Sequence, residues 1–283
     1  MKTALVFEGG ASRALFTCGV IDVLLENNIR ADYLIGVSAG ISYGIDYAAG
    51  QAGRSLRLAT EYMHDKRYMG VKYLIDRSNR SIYNIPFAFR QIPDELVPFD
   101  YEAFRSFPGE IYAGVTNLET GLAEYISVPR DREGSEKLLR ASCALPILFQ
   151  PQEYNGKLYM DGGISDSIPF QKAIDDGCDR VIVILTRERG FSKTGEKSTP
   201  LVKRFYKDYP QFMETFLNRP DMYNRTLNSL AEYEKAGKAL VIAPRDTSGY
   251  RRTERNPEKL REIYGEGRRE ALAALDKIRE YLK

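Results

Sequence analysis

The feature that most restricts the fold is a Gly-Val-Ser-Ala-Gly stretch centred on Ser38, directly after a short apolar run. The apolar run predicts a strand over 32–37, and a helix is predicted from Ser38 to just before Gly50. Gly-x-Ser-x-Gly between a strand and a helix is typical of a nucleophile elbow, a tight turn that presents a hydroxyl at the end of a sheet. Gly36 and Gly40 remove the Cβ atoms that would collide in such a turn. The pattern therefore predicts an α/β sheet that carries Ser38 at the end of one strand.

The composition is that of an ordinary globular chain with a sizeable core, since 43% of its 283 residues are hydrophobic and 28% are charged. The net charge of +2 is too small to favour nucleic acid or a strongly anionic membrane as the main partner. The charged residue Glu8 ends the N-terminal apolar run before it is long enough for the core of a signal peptide. No segment approaches the ~18 consecutive apolar residues that are needed to span a membrane. The dispersed cysteines Cys18, Cys143 and Cys178 fit reduced thiols in a cytoplasmic protein and form no metal-ligand cluster.

Predicted strands and helices alternate along most of the chain, which favours a mostly parallel sheet with helices on both faces. A strand is predicted at 3–7, and the most apolar strand is predicted at 180–185. Two hairpins are predicted over 110–128 and 152–160. A helix over 135–143 is expected to end before Pro146, because the residue before proline avoids the helical conformation.

The chain contains no repeat or low-complexity linker, so we expect a single domain over residues 1–283. The region 70–108 mixes aromatic residues, arginines and prolines, and we interpret it as short helices and loops over one end of the sheet. It is either a cap on a binding site or an ordinary surface insertion. Residues 187–283 are expected to complete the sheet and the helical layer.

The residues available as a base argue against a Ser-His-Asp triad. The chain contains one histidine, His64, and a lone histidine is usually a surface or packing residue. The remaining base is a carboxylate, for which Asp161 is the best candidate. It ends an apolar strand, where active sites of open α/β sheets cluster, and Gly162 and Gly163 allow other backbone to approach. The alternative is a turn aspartate in a two-glycine bend.

The segment Glu8-Gly9-Gly10-Ala11-Ser12-Arg13-Ala14 follows the first predicted strand and opens a helix. Backbone amides at such a turn point outward, and the helix N-terminus reinforces them. They are therefore candidates for holding the oxyanion of a tetrahedral intermediate. The competing interpretation is a phosphate-binding loop, although no Gly-Lys-Ser/Thr follows and only two of the three glycines of a dinucleotide fingerprint are present.

These three segments, in this order, resemble the patatin-like phospholipase family and its bacterial branch in particular. The resemblance extends to the Ala-Ser-Cys-Ala-Leu-Pro stretch ending at Pro146 and to the Asp-Gly-Gly-Ile-Ser-Asp-Ser-Ile-Pro stretch that begins at Asp161. It covers roughly the first two-thirds of the chain. Three motifs in order are specific, whereas any one of them alone would be weak.

The resemblance implies a three-layer α/β/α fold and a Ser-Asp dyad that needs no histidine, metal or cofactor. Ser38 would take the acyl group, and Asp161 would accept its proton and later activate water. The implied oxyanion hole is formed by Gly9, Gly10 and Ala11, and the implied supporting residues of the loops are Arg13, Gly36, Gly40, Gly162 and Gly163.

The implied substrates are acyl esters of lipids: phospholipids, lysophospholipids or glycerides. The chain departs from the family pattern at Ala11 and Ala14, where glycine is usual. We expect any membrane contact to be shallow and reversible, with the protein cytoplasmic and peripheral at the membrane. A catalytically weak lipid- or acyl-binding protein on the same fold is the main alternative, and a nucleotide-binding regulator that uses the glycine loop is a third.

Overall fold

The computed structural model describes residues 1–195 and 199–283. Among these, eight strands form one sheet in the order β5-β6-β3-β2-β1-β7-β8, with β4 also paired to β3. In chain order the strands are β1 Thr3–Phe7, β2 Tyr33–Val37, β3 Glu110–Asn117, β4 Ala123–Ser127, β5 Gln152–Tyr154, β6 Lys157–Asp161, β7 Arg180–Ile184 and β8 Leu240–Ile242.

The five strands β3, β2, β1, β7 and β8 are parallel neighbours, and β4, β5 and β6 are antiparallel. The prediction of a mostly parallel sheet is therefore confirmed, with both hairpins in their predicted places. The α-helices are α1 Leu15–Glu26, α2 Ala39–Ala48, α3 Arg54–Tyr62, α4 Val71–Ile75, α5 Tyr101–Ser106, α6 Arg132–Ser142, α7 Phe170–Asp175, α8 Thr199–Phe205, α9 Pro210–Lys235 and α10 Pro257–Tyr281.

Helices cover both faces of the sheet, as the predicted three-layer fold requires. Successive side chains of β1 point to opposite faces. Leu5 packs in a core with α1, α2 and α10, while Val6 packs in a second core with α7 and α9. Because both faces are buried, the central strands are continuous apolar runs rather than alternating ones.

The region 70–108 contains short helices and loops, as expected. A π-helix, Phe87–Leu96, lies between α4 and α5. Together with parts of α2 and α6, this region lines an apolar cavity beside Ser38. The interpretation of this region as a cap on a binding site stays a prediction, and the name cap region is used for residues 70–108 below.

The C-terminal part of the chain joins the same sheet and packs tightly on its first helix. β8 pairs in parallel with β7, and α10 lies against α1. A Cβ added at Gly267 would lie 2.0 Å from the Phe16 carbonyl oxygen, and one at Gly19 would lie 2.1 Å from that of Tyr264. Glycine at both positions therefore allows the two helix backbones to approach closely, which supports the proposal of a single domain.

One helix boundary differs from the prediction. α6 begins at Arg132 rather than at residue 135, because the Asp131 carboxylate accepts a hydrogen bond from the Gly134 amide at 2.8 Å and caps the helix. The helix ends at Ser142, close to the predicted end. Within the described ranges, every helix is too short or too polar to cross a bilayer.

Candidate active site

Ser38 occupies the sharp turn between β2 and α2, as the motif predicts. Its backbone has φ 54° and ψ −135°, a conformation that is uncommon for any residue with a side chain. A Cβ at Gly36 would lie 2.8 Å from the Phe7 carbonyl oxygen, and one at Gly40 would lie 2.5 Å from that of Glu8. The flanking glycines are therefore required because the end of β1 passes so close to the turn.

Ser142 holds the elbow from behind, and the sequence analysis assigned it no role. Its hydroxyl accepts a hydrogen bond from the Ser38 amide at 2.8 Å and donates one to the Gly114 carbonyl at 2.8 Å. Ser142 is fully buried and thus links the strained turn to β3. The only indication in the sequence that Ser142 belongs to the site was its position in the Ala-Ser-Cys-Ala-Leu-Pro stretch.

Asp161 reaches Ser38 by a route that the sequence analysis described wrongly. Its strand, β6, is antiparallel, so the rule about the carboxyl ends of parallel strands does not explain its position. β2 pairs with β3 only as far as Val37 and Gly114, and β3 continues for three more residues. β6 pairs with this overhang and runs back toward the elbow, where Asp161 lies opposite Val115.

Among the described residues, only one of the two oxygens of the Asp161 carboxylate accepts a hydrogen bond. The side chain is 2% exposed; Oδ1 accepts a hydrogen bond from the Gly163 amide at 2.8 Å, while Oδ2 is buried and has no partner among the described residues. Burial raises the pKa of the Asp161 carboxyl, and the Arg219 guanidinium and the Ser38 hydroxyl act in the opposite direction.

Ser38 and Asp161 line the same polar cavity, and the Ser38 hydroxyl is near enough to lower the pKa of the carboxyl. No hydrogen bond of ordinary geometry reaches Oδ2 from the described residues. Catalytic hydrogen bonds are often long or poorly aligned before substrate binds. The arrangement leaves Oδ2 available to accept a proton from a serine hydroxyl.

The glycine loop after β1 lies directly against the elbow. A Cβ at Gly9 would lie 3.2 Å from that of Ser38, and one at Gly10 would lie 2.6 Å from the Thr186 hydroxyl. Within the parts of the chain that the structure describes, the amides of Gly10 and Ala11 donate to no protein acceptor. Ala11 adopts φ 50°, so it accepts the left-handed conformation that glycine takes more readily.

The loop that carries Asp161 is held by close packing and by a buried arginine. A Cβ at Gly162 would lie 2.1 Å from the Gly114 carbonyl oxygen. The Gly163 carbonyl accepts hydrogen bonds from Ser167 Oγ at 2.8 Å and from Arg219 Nε at 2.6 Å. Arg219 comes from the middle of α9 and is buried. Sequence reasoning missed it because an arginine on a mixed helix usually lies at the surface.

Cys143 also lies beside the elbow, with its Sγ 3.2 Å from Ser42 Oγ. Burial raises the pKa of the Cys143 thiol to about 12, and a protonated thiol is a poor nucleophile. His64 is exposed and lines neither cavity next to Ser38. Cys143 and His64 are therefore poorer candidates for a nucleophile and a base than Ser38 and Asp161.

Two cavities of different character meet at Ser38. One is apolar, about 190 Å³ in volume, and the other is polar, about 660 Å³. Four residues line both: Ala11, Ser38, Leu145 and Arg252. An ester bond placed at Ser38 would border both an apolar space and a charged space.

A family profile for patatin-like phospholipases matches residues 5–174, which is more than half of the chain. The matched region contains the elbow, the glycine loop and the Asp-Gly-Gly loop. The chain belongs to the patatin-like phospholipase family. A second profile, for a domain of unknown function called DUF6363, matches residues 209–283.

Curated relatives agree with this assignment at low identity. The Escherichia coli protein YjjU is 24% identical over 188 residues, covering 65% of this chain and 52% of YjjU. The lysophospholipase NTE1 of Meyerozyma guilliermondii is 26% identical over 192 residues, covering 64% of this chain and 12% of NTE1. The chain thus spans about half of YjjU and about an eighth of NTE1. In the solved structures, VipD from Legionella pneumophila matches 98% of this chain and 67% of its own, with 14% identity and a TM-score of 0.48.

Proposed function

We propose that this protein is a serine acyl hydrolase that cleaves carboxylic esters of lipid-like substrates through an acyl-enzyme. The observation that carries the proposal is that Ser38, at a strained turn, shares a cavity with the buried carboxylate of Asp161. Family membership and the similarity to lysophospholipases support lipid esters as the substrate class.

The proposed reaction uses a carboxylate where many hydrolases use histidine. Ser38 Oγ attacks the ester carbonyl carbon while its proton passes to Asp161 Oδ2, and the carbonyl oxygen becomes an oxyanion. The amides of Gly10 and Ala11 are proposed to donate to that oxyanion. The intermediate collapses as the leaving alcohol takes the proton from Asp161, and the acyl group stays on Ser38.

Deacylation repeats these steps with water as the nucleophile. Asp161 takes a proton from water, hydroxide attacks the acyl carbonyl, and the proton returns to Ser38 Oγ as the carboxylic acid leaves. A carboxylate is a weaker base than imidazole, and burial offsets part of that difference because it raises the pKa of Asp161.

The apolar cavity is the proposed site of the acyl chain. Its walls include Leu58, Met63, Tyr83, Leu148 and Phe149, which come from the cap region and from the elements next to it. Burying each methylene of an acyl chain contributes about 0.8 kcal/mol. An apolar wall next to the nucleophile favours lipid esters over small polar ones.

Shallow membrane contact is part of the proposal. Val71 and Ile75 on α4 are 68% and 77% exposed, and Met69, just before this helix, lines the apolar cavity. Exposed apolar side chains on a helix that follows a cavity-lining residue fit insertion into the headgroup layer. Sedimentation with anionic vesicles tests this: Ile75→Asp is expected to reduce the bound fraction, and equal binding by the variant would remove α4 from the contact.

Labelling with a fluorophosphonate probe, followed by mass spectrometry, tests the nucleophile directly. The expected result is a single modified peptide containing Ser38, no labelling of Ser38→Ala, and normal labelling of Ser106→Ala, whose serine lies on the exposed end of α5. Labelling at another serine would overturn the assignment.

The same experiment separates the alternatives. Binding of fatty acid without labelling or hydrolysis would favour the catalytically weak acyl-binding protein. This alternative is considered because alanine replaces the usual glycine at positions 11 and 14. Nucleotide binding without hydrolysis would favour the regulator. The single domain and the cytoplasmic location suggested by the dispersed cysteines remain proposals.

A further inference from the structure

The polar cavity at Ser38 carries an excess of positive charge. Two carboxylates line it, those of Glu8 and Asp161, against a larger set of basic side chains: Arg13, Arg187, Lys193, Arg219 and Arg252. The cavity is lined by Ser38 and meets the apolar cavity there. A space of this composition is suited to a negatively charged group.

The two carboxylates offset only part of this charge, because five basic side chains line the same cavity. Glu8 Oε1 accepts a hydrogen bond from the Tyr223 hydroxyl at 2.7 Å, and Glu8 Oε2 accepts one from the Thr186 amide at 2.6 Å. Asp161 Oδ1 is held by the Gly163 amide. The acids are thus oriented by uncharged donors.

Two further guanidinium groups lie close enough to Arg13 to affect its pKa. Burial, together with the positive charges of Arg187 and Arg252, lowers the pKa of Arg13 to about 10, while Glu8 acts in the opposite direction. Arg13 Nε is buried without a hydrogen-bond partner among the described residues. Like charges held together with an unused donor are expected to gain from an anion between them.

The other two arginines are oriented by the surrounding structure. Arg187 donates to the Thr247 hydroxyl at 2.8 Å and stacks on the Phe191 ring at 4.3 Å. The loop of Arg252 is attached to the glycine loop, since the Ser12 amide donates to the Arg252 carbonyl at 3.1 Å. In the described ranges no carboxylate forms an ion pair with the Arg252 side chain.

Building on the proposed acyl hydrolase function, we propose that Arg13, Arg187 and Arg252 form a subsite for a phosphate on the alcohol part of the ester. With the acyl chain in the apolar cavity, the alcohol part of an ester at Ser38 lies toward the cationic one. The preferred substrate is then an acyl ester with a phosphate-bearing headgroup, rather than a neutral glyceride.

The proposal also gives the C-terminal segment a role. Arg219, Tyr223, Tyr250 and Arg252 all line the polar cavity and all lie within the stretch matched by the domain of unknown function. The family-matched stretch contributes the nucleophile and the base. The C-terminal stretch contributes Arg252 to the subsite and three further residues to the wall of the polar cavity.

A matched pair of substrates tests the subsite: a monoacylglycerol and the same monoacylglycerol carrying a phosphate. We expect wild type to favour the phosphate-bearing ester by about tenfold or more in kcat/KM. Arg252→Gln is expected to lose most of this ratio, because a charge-assisted hydrogen bond to phosphate is removed. Arg251→Gln, an exposed neighbour with the same change of charge, is expected to keep it.

Binding of glycerol phosphate and of inorganic phosphate to Ser38→Ala, by calorimetry, gives a readout independent of turnover. Binding of glycerol phosphate that weakens about tenfold on adding Arg252→Gln, but not Arg251→Gln, supports the subsite. Inorganic phosphate binding combined with equal hydrolysis of both esters would overturn it in favour of a free-anion site. Hydrolysis of both esters with neither preference nor binding would overturn the subsite and leave the acyl hydrolase intact, whereas activity retained by Ser38→Ala would overturn the hydrolase itself.

Discussion

The two cavities that meet at Ser38 are built from different parts of the chain and from different chemistry. The apolar cavity is formed by the region 70–108 together with α2, α3, α6 and the loop after α6, whose apolar and aromatic side chains give it a wall with few charges. The cationic cavity is formed by the loops after β1 and β7 and by the C-terminal segment, which together contribute its arginines. An amphiphile fits this pair better than a wholly apolar or a wholly polar ester, so the surroundings of Ser38, the proposed nucleophile, favour a substrate class that its motif does not specify.

The most severe test asks whether both cavities serve one reaction. Asp161→Asn is expected to lower kcat/KM for neutral and phosphate-bearing esters alike by about 10³-fold or more, since an amide cannot accept the serine proton. Hydrolysis of a chromogenic medium-chain ester measures this. Asp166→Asn, which changes a carboxylate in the same loop that is hydrogen-bonded to Tyr125, is the control and is expected to retain most activity. Substantial turnover by Asp161→Asn would mean that another base serves Ser38.

The pH dependence of kcat/KM tests whether the charge of the cationic cavity affects Asp161. Burial raises the pKa of Asp161, and the base must be ionised to act. Activity is therefore expected to fall as pH decreases through a value above the ordinary aspartate pKa of about 4. Arg252 lowers this pKa, so Arg252→Gln is expected to move the acid limb of kcat/KM upward. An acid limb at the same pH in wild type and in Arg252→Gln would show that the charge of the cationic cavity does not affect the pKa of Asp161.

A substitution within the apolar cavity separates the two regions. Ala88→Phe, in the π-helix of the cap, is expected to fill space that the acyl chain needs. Displacing about two methylenes at about 0.8 kcal/mol each corresponds to about a tenfold loss in kcat/KM for a long-chain ester. A short-chain ester measured on the same variant is the internal control. An equal loss of kcat/KM for long-chain and short-chain esters would show that Ala88→Phe disrupts the whole site rather than the space for the acyl chain.

The smallest effect is expected away from both cavities. His64 is exposed and lines neither of them, so His64→Ala is expected to change kcat/KM by less than about twofold, as for ordinary surface substitutions. The activity assay and a thermal unfolding midpoint measured together check this. A large loss with an unchanged midpoint would revive a mechanism based on histidine.

The local parts of the site were predictable from the sequence because neighbouring residues form them. The turn at Ser38 is made within a few residues, and the glycine loop follows β1 directly. Asp161 was identified as the best base by elimination and by its glycines, yet the reason given for its position was wrong, because pairing patterns do not reveal that β6 extends the overhang of β3. The role of Ser142 could not be predicted, because the sequence does not indicate which groups the hydroxyl of a helical serine contacts.

The cationic cavity could not be predicted in the same way. Arg13, Arg187 and Arg252 are separated by long stretches of chain, and their convergence depends on β7 lying beside β1 and on the loop before α10 reaching the glycine loop. The net charge of +2 gives no indication of such a local excess. Net charge sums over the whole surface, whereas a binding site responds to the charges within a few ångströms.

The sequence by itself determined the layered α/β architecture, the strained serine turn and the inventory that leaves a carboxylate as the base, because period, glycine placement and residue counts are properties of the chain order. Only the tertiary structure decided how Asp161 approaches Ser38, what holds both of them, and which residues form the apolar and the cationic cavity that meet at Ser38. These depend on contacts between residues far apart in the chain, and such contacts are set by strand pairing and helix packing rather than by any local pattern.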